Sequence, residues 1–290
     1  QQLADRHFVN YQAVAPESSL DQTGASARLT KQLEIEDLPP SIIYLDVPSN
    51  PTGFVDSMDD LRQLIQVAQT KNHLVFIDSA YGDLLPQYQD LLNLPSQHDN
   101  VVTFGSFSKN RHLAGDRLGF AHLSKPLTNL VSQSGLPLSS TMTASGLARL
   151  QSLATIDQAE FLAASHTQVS ERKQVLVDSL QELPGVRVAS TDKAVSIIYV
   201  DLIDNEIKEA LANLQTKNPA LSIGRILKER YGVNNEPGEE FINTDPGLGA
   251  TGFRLRIPPQ IEQSQAIALR LNDLMNEIVN NPDAILISAN

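Results

Sequence analysis

Short apolar runs alternate with stretches of helical spacing through the first half of the chain. Ile42-Ile43-Tyr44-Leu45, Leu74-Val75-Phe76-Ile77 and Val101-Val102-Thr103-Phe104 are each bounded by polar or turn-forming residues, and they read as buried strands. Between the first two, Leu61, Leu64, Ile65 and Ala68 fall at i, i+3, i+4 and i+7, which predicts an amphipathic helix. Ser57 and Asp60 have the spacing of a capping box and mark where it starts. Strands that alternate with helices in this way imply βαβ units and a largely parallel sheet.

After about residue 150 the pattern changes to longer helices. Thr155 and Gln158 are placed to cap one whose apolar stripe runs through Val169, Leu176, Leu180 and Leu183 and stops at Pro184-Gly185. A strand is expected over 195–200. Ile207, Ala210, Leu211 and Leu214 predict another helix, and Ile267, Leu271, Leu274 and Ile278 a last one. The expected organisation is an α/β domain over 1–150 and a smaller α+β domain over 151–290, with the boundary along the long helices. Residues 1 to 40 carry the weakest pattern, and no internal repeat is visible.

Composition narrows the classes. At 290 residues, 41% hydrophobic and 19% charged, the chain has the balance of a globular protein with room for about two domains. The formal charge of −12 argues against nucleic acid as the main partner, since that binding rests on basic patches. Any anionic ligand has to be held by local groups. With no cysteine there are no disulfides and no thiolate chemistry, which suits a reducing compartment. No apolar run is long enough for a bilayer span and the first twenty residues lack an apolar signal region, so a cytoplasmic location is expected. The six histidines, at 7, 73, 98, 112, 122 and 166, show no close metal-ligand spacing, and no metal is expected. Gly247-Leu248-Gly249-Ala250-Thr251-Gly252 matches a dinucleotide fingerprint but precedes a strand-like stretch instead of leaving one, so a nicotinamide site is rejected.

In open α/β sheets, ligands bind beyond the carboxyl ends of the strands. Pro48-Ser49-Asn50-Pro51-Thr52-Gly53 follows the first run, Asp78-Ser79-Ala80-Tyr81 the second, and Ser106-Phe107-Ser108-Lys109, then Arg117-Leu118-Gly119, the third. Each has a plain explanation alone: a turn, a helix cap, a packed ring, a solvated cation. Together, all would meet at one edge of the sheet.

In this order and spacing the residues resemble the class I/II aminotransferases, a group of fold-type I pyridoxal-phosphate enzymes. Asn-Pro-x-Gly, then Asp-x-Ala-Tyr, then Ser-x-Ser-Lys with an arginine eight residues beyond are all present. The likeness runs on through Pro237-Gly238, Phe241 and the stretch Phe253-Arg254-Leu255-Arg256-Ile257. The resemblance implies a three-layer α/β/α large domain, a smaller C-terminal domain, pyridoxal 5'-phosphate as cofactor and a homodimer. Lys109 would be the Schiff-base lysine and, once displaced by the substrate amine, would move the α-proton. Asp78 would pair with the pyridine nitrogen, Asn50 and Tyr81 would hydrogen-bond the ring's phenolic oxygen, and Ser106, Ser108 and Arg117 would bind the phosphate. Arg256, with Asn50, would hold the substrate carboxylate; Arg254 lies two residues away, on the same face of a strand.

One part of the family plan is not accounted for. Asn50 falls so early that little of the usual N-terminal segment, with its phosphate loop, its stacking aromatic and its arm toward the neighbouring subunit, fits before it. The expected activity is transfer of an amino group from an α-amino acid to a 2-oxo acid. The alternatives are a lyase, decarboxylase or cyclase using the same cofactor, or a non-catalytic domain that binds cofactor or amino acid.

Overall fold

The computed structural model of the chain describes residues 24–109, 113–116, 118–134, 144–153, 158–189, 195–241 and 249–287. Its first half is built on the sheet that the apolar runs predict. β1 (Ile42–Asp46), β2 (Leu74–Asp78) and β3 (Val101–Ser106) lie side by side and parallel, with Asp46 opposite Asp78 and Asp78 opposite Phe104. Parallel neighbours need crossover connections. Here they are α2 (Met58–Thr70) and α3 (Tyr88–Gln97), which follow α1 (Ala25–Ile35). α2 begins as predicted: the Ser57 hydroxyl accepts the Asp60 N–H at 3.1 Å and donates to the Asp60 carboxylate at 2.7 Å. Leu61, Leu64, Ile65 and Ala68 are all fully buried in the core beneath the sheet.

The sheet is completed by β4 (Gly119–Leu123), which runs antiparallel to β3. The connection between the two spans residues 107–118 and includes a single turn at Ala114–Asp116. Gly105 is required at their contact, because a Cβ there would meet the Phe120 ring at 2.3 Å.

The second half holds an antiparallel sheet in the order β5 (Val186–Val188), β6 (Ile197–Leu202), β8 (Gly252–Arg256), β7 (Glu236–Pro237). The strand expected over 195–200 is paired over 197–202 instead. Val195 packs into the first core, and pairing starts where Ile197 meets Arg256. At the other end, Asp201 stays in the strand because its carboxylate accepts the Thr251 hydroxyl at 2.7 Å and faces Arg187 at 3.6 Å. α4 (Lys125–Gln133) and α5 (Ala144–Leu153) precede the long helix α6 (Gln158–Gln181). Val169 of α6 packs on the first core, whereas Leu176 and Leu180 are buried in the second, so this helix ties the halves together. Thr155, expected to cap it, lies outside the described residues.

α7 (Asn205–Lys217), α8 (Ile223–Tyr231), α9 (Ile261–Asn280) and α10 (Pro282–Ile287) complete the second unit. Two of these starts are capped: Asp204 accepts from Glu206 and Ile207, and Ser222 accepts from Arg225. No helix among the described residues is long and apolar enough to cross a membrane.

Candidate active site

The parallel register brings three strand ends to one edge. The loop after β1 is tied to β2 by the Val47 N–H, which donates to the Asp78 carbonyl at 2.8 Å, and Gly53 closes it at φ 71°, a conformation that favours glycine. The loop after β2 is tied to β3 in turn: both the N–H and the hydroxyl of Ser79 donate to the Phe104 carbonyl, at 2.9 and 2.5 Å. These bonds fix Asn50, Asp78 and Tyr81 relative to the end of β3, from which Ser106, Ser108 and Lys109 project.

Asp78 uses one carboxylate oxygen to accept the Ala80 N–H at 2.9 Å and the other to accept the Tyr44 hydroxyl at 2.7 Å. Its register partner Asp46 is a second carboxyl on the same edge. Burial, and then the neighbouring Asp78 charge, push the Asp46 pKa up to about 6. Desolvation of the Tyr44 hydroxyl, followed by its bond to Asp78, raises the tyrosine pKa as well. Neither Tyr44 nor Asp46 was singled out in the sequence. Alternation along β1 puts both on the face that ends at Asp78, which is the signal that could have found them.

Tyr81 is buried, and the Lys109 Nζ sits 4.8 Å above its ring centroid. This holds the amine by cation–π attraction against an aromatic floor. The Ser106 hydroxyl accepts the Ser108 N–H at 3.1 Å, and the Phe107 N–H donates to Leu118 at 3.1 Å, so the turn carrying the lysine is pinned on both sides. Arg117 and His112 lie outside the described residues.

The two late arginines part company. Arg254, inside β8, is 6% exposed; its guanidinium donates to the Asn50 amide oxygen at 2.6 Å, pairs with Glu236 at 3.3 Å and stacks 5.2 Å from the Phe241 ring. Its Nε is buried without a partner among the described residues. Arg256, the last residue of β8, is exposed and lines a cavity of about 250 Å³ together with Tyr81, Ser108 and Lys109. Asn50, expected to act beside Arg256, is therefore bonded to Arg254.

This donor set suits pyridoxal phosphate. A primary amine is held beside a buried ring, a carboxylate sits on the adjoining strand end for a protonated ring nitrogen, and two serines just before the lysine can serve an anionic group. Arg254 reaches Asn50 from the other sheet.

The family model described as aminotransferase class I and II matches residues 2–265. The histidinol-phosphate aminotransferase of Methanococcus maripaludis strain C6 is 28% identical over 171 residues, which is 58% of this chain and 44% of that protein. The chain spans about half the length of the curated relatives it matches. Among solved structures, a decarboxylase from Sulfurospirillum multivorans superposes with TM-score 0.67 at 15% identity, over 90% of this chain and 69% of its own. A PLP-bound C-S lyase from Staphylococcus hominis does so with TM-score 0.64 at 18% identity, over 89% and 63%.

Proposed function

The chain belongs to the class I and II aminotransferase family, whose cofactor is pyridoxal 5'-phosphate, and on that premise we propose that it transfers the amino group of an α-amino acid to a 2-oxo acid. When bound, the cofactor supplies an aldehyde and a ring that accepts the electrons released at the substrate's α-carbon. Lys109 would hold that aldehyde through its amine, and once the incoming substrate amine has displaced it, the freed amine would take the substrate's α-proton and return it. Asp78 holds a proton at the ring nitrogen. Asn50 and Tyr81 hydrogen-bond the phenolic oxygen, and Ser106, Ser108 and Arg117 hold the phosphate. Arg254, oriented by Asn50 and Phe241, presents its fork to the substrate carboxylate, the role that the resemblance gave to Arg256. A homodimer in the cytoplasm is part of the same reading.

The observation that carries this reading is the Lys109 amine poised over the Tyr81 ring, at the strand edge where Asp78 also ends. A decarboxylase and a C-S lyase share the fold, so the assay has to separate the reactions. The purified chain with added pyridoxal phosphate is expected to develop the visible absorbance of the lysine-bound cofactor, and Lys109→Ala to lose it. With a panel of amino donors, the wild-type chain should convert a 2-oxo acid to its amino acid. The variant should be slower by about a thousandfold or more. Absorbance unchanged in Lys109→Ala would overturn the site; absorbance with carbon dioxide or sulfide release and no amino transfer would overturn the reaction.

A further inference from the structure

Tyr44 stands on the open face of the first sheet, 58% exposed and in register with Phe76. Burial of its ring therefore gives little reason for a tyrosine at this position. Its hydroxyl has a partner, however: it reaches past Phe76 toward the carboxyl end of β2 and donates to the Asp78 carboxylate at 2.7 Å.

That bond controls how Asp78 is turned. One carboxylate oxygen accepts the Ala80 N–H at 2.9 Å, from the loop that follows β2, and the other accepts the Tyr44 hydroxyl from β1. A carboxylate bonded at both oxygens by two different elements cannot rotate about its last torsion without breaking one of the bonds. Each oxygen still keeps a lone pair for a further donor. Desolvation, followed by the bond to Asp78, pushes the Tyr44 pKa upward, so the hydroxyl stays a donor across the neutral range.

Asp46 adds charge to the same edge. It stands opposite Asp78 in the parallel register, on the face that Tyr44 also occupies. Burial, and then the Asp78 charge, raise the Asp46 pKa to about 6, while the Tyr44 hydroxyl and the Asn50 backbone favour its charged form. Above that pH two carboxylates lie side by side, and a cation that arrives between them relieves the repulsion.

We infer that Tyr44 is a positioning residue for Asp78: its hydroxyl keeps the carboxylate turned to receive the protonated ring nitrogen of pyridoxal phosphate, and Asp46 lends that edge a second negative charge. The inference rests on the reading of Asp78 as the partner of the ring nitrogen. Tyr44 itself acts only through Asp78.

Two cofactors separate this role from a structural one: pyridoxal phosphate, and its 1-deaza analogue with carbon in place of the ring nitrogen. Absorbance titration of the full chain at about pH 7.5 gives the affinity for each, and their ratio reads what the nitrogen contributes. The wild-type chain is expected to prefer pyridoxal phosphate by about tenfold or more, and Asp78→Ala to lose the preference. Tyr44→Phe, which removes only the hydroxyl, should cut the preference by about three- to tenfold and leave the affinity for the deaza analogue unchanged. Asp46→Asn should cut it by about threefold. Circular dichroism checks that the variants fold. A preference undiminished in Tyr44→Phe would overturn the positioning role, and so would an equal loss of affinity for both cofactors, which marks a general disturbance of the site. A preference undiminished in Asp46→Asn would overturn the part given to the second charge. If the wild-type chain shows no preference, the pairing of Asp78 with the ring nitrogen falls and the inference falls with it, so the two failures are told apart.

Discussion

The two sheets bury their strands differently. Along β1 of the first sheet burial alternates, and Ile42 and Tyr44 stand 60% and 58% exposed on one face. Along β6 of the second sheet all six residues are buried, polar Asp201 included. A strand with one open face can end in a row of polar groups that remain reachable, and the first sheet does so with Asp46, Asp78 and Ser106. A strand covered on both faces gives stiffness instead, and the second sheet uses it to hold Arg254 inside a core while the guanidinium reaches Asn50. The site needs both: reachable strand ends on one side and a rigidly mounted cation on the other.

The largest test of this contrast is mechanical. Phe253→Ala, at a fully buried position of β8, should cost about 3–5 kcal/mol in denaturant unfolding, whereas Ile42→Ala on the open face should cost under about 0.5 kcal/mol. If the two cost the same, the open face is covered in solution and the contrast breaks.

Next comes the mounted cation. Arg254→Lys keeps the charge but loses the fork that bonds Asn50 and Glu236 together, so binding of a monocarboxylate such as butyrate should weaken by about 1.5–3 kcal/mol, with little change in thermal midpoint. A large loss of stability with butyrate binding intact would mean that Arg254 is a strut and not a clamp.

The smallest effect belongs to the reachable edge. Asp46 has its pKa raised from 3.8 to about 6 in the folded chain, so the folded state binds the proton more tightly than the unfolded one. Its stabilising contribution is present in full below about pH 4, fades as pH rises to about 6 and is gone above that. Asp46→Asn should therefore leave acid stability nearly unchanged, raise stability at pH 7 by about 1–2 kcal/mol, and flatten the profile between. Thermal melts of the cofactor-free protein from pH 4 to 8 measure this. A variant no more stable than wild type at pH 7 would show that the Asp46 charge is already compensated.

Much of the fold was legible because burial imposes a period. The runs at 42–45, 74–77 and 101–104 became β1 to β3 with one or two residues added at their carboxyl ends, the last of them polar, and the spacing from Leu61 to Ala68 became α2. β4 was harder to see: its five residues include a glycine and a histidine and none is fully buried, so they show no clear alternation. α3 has a proline inside it, Pro95, which speaks against a helix until its burial beside Leu91 and Leu94 is known. The six-residue β6 looked like a strand two residues earlier, since nothing local says that Val195 belongs to one core and Val200 to the other.

For the site, the residue types and their order along the chain were enough to group Asn50, Asp78, Tyr81, Ser106, Ser108 and Lys109, because parallel strands with crossovers deliver their carboxyl ends to one edge whatever the loops do. Which of two arginines on one strand meets Asn50 was not readable, since residues two apart share a face and differ only in how deep the rest of the protein buries them. The same holds for the Asp46–Asp78 register. Local periodicity follows from the chain's own geometry; depth, charge neighbours and cavities depend on how separate elements pack, and here only the packed halves decided them.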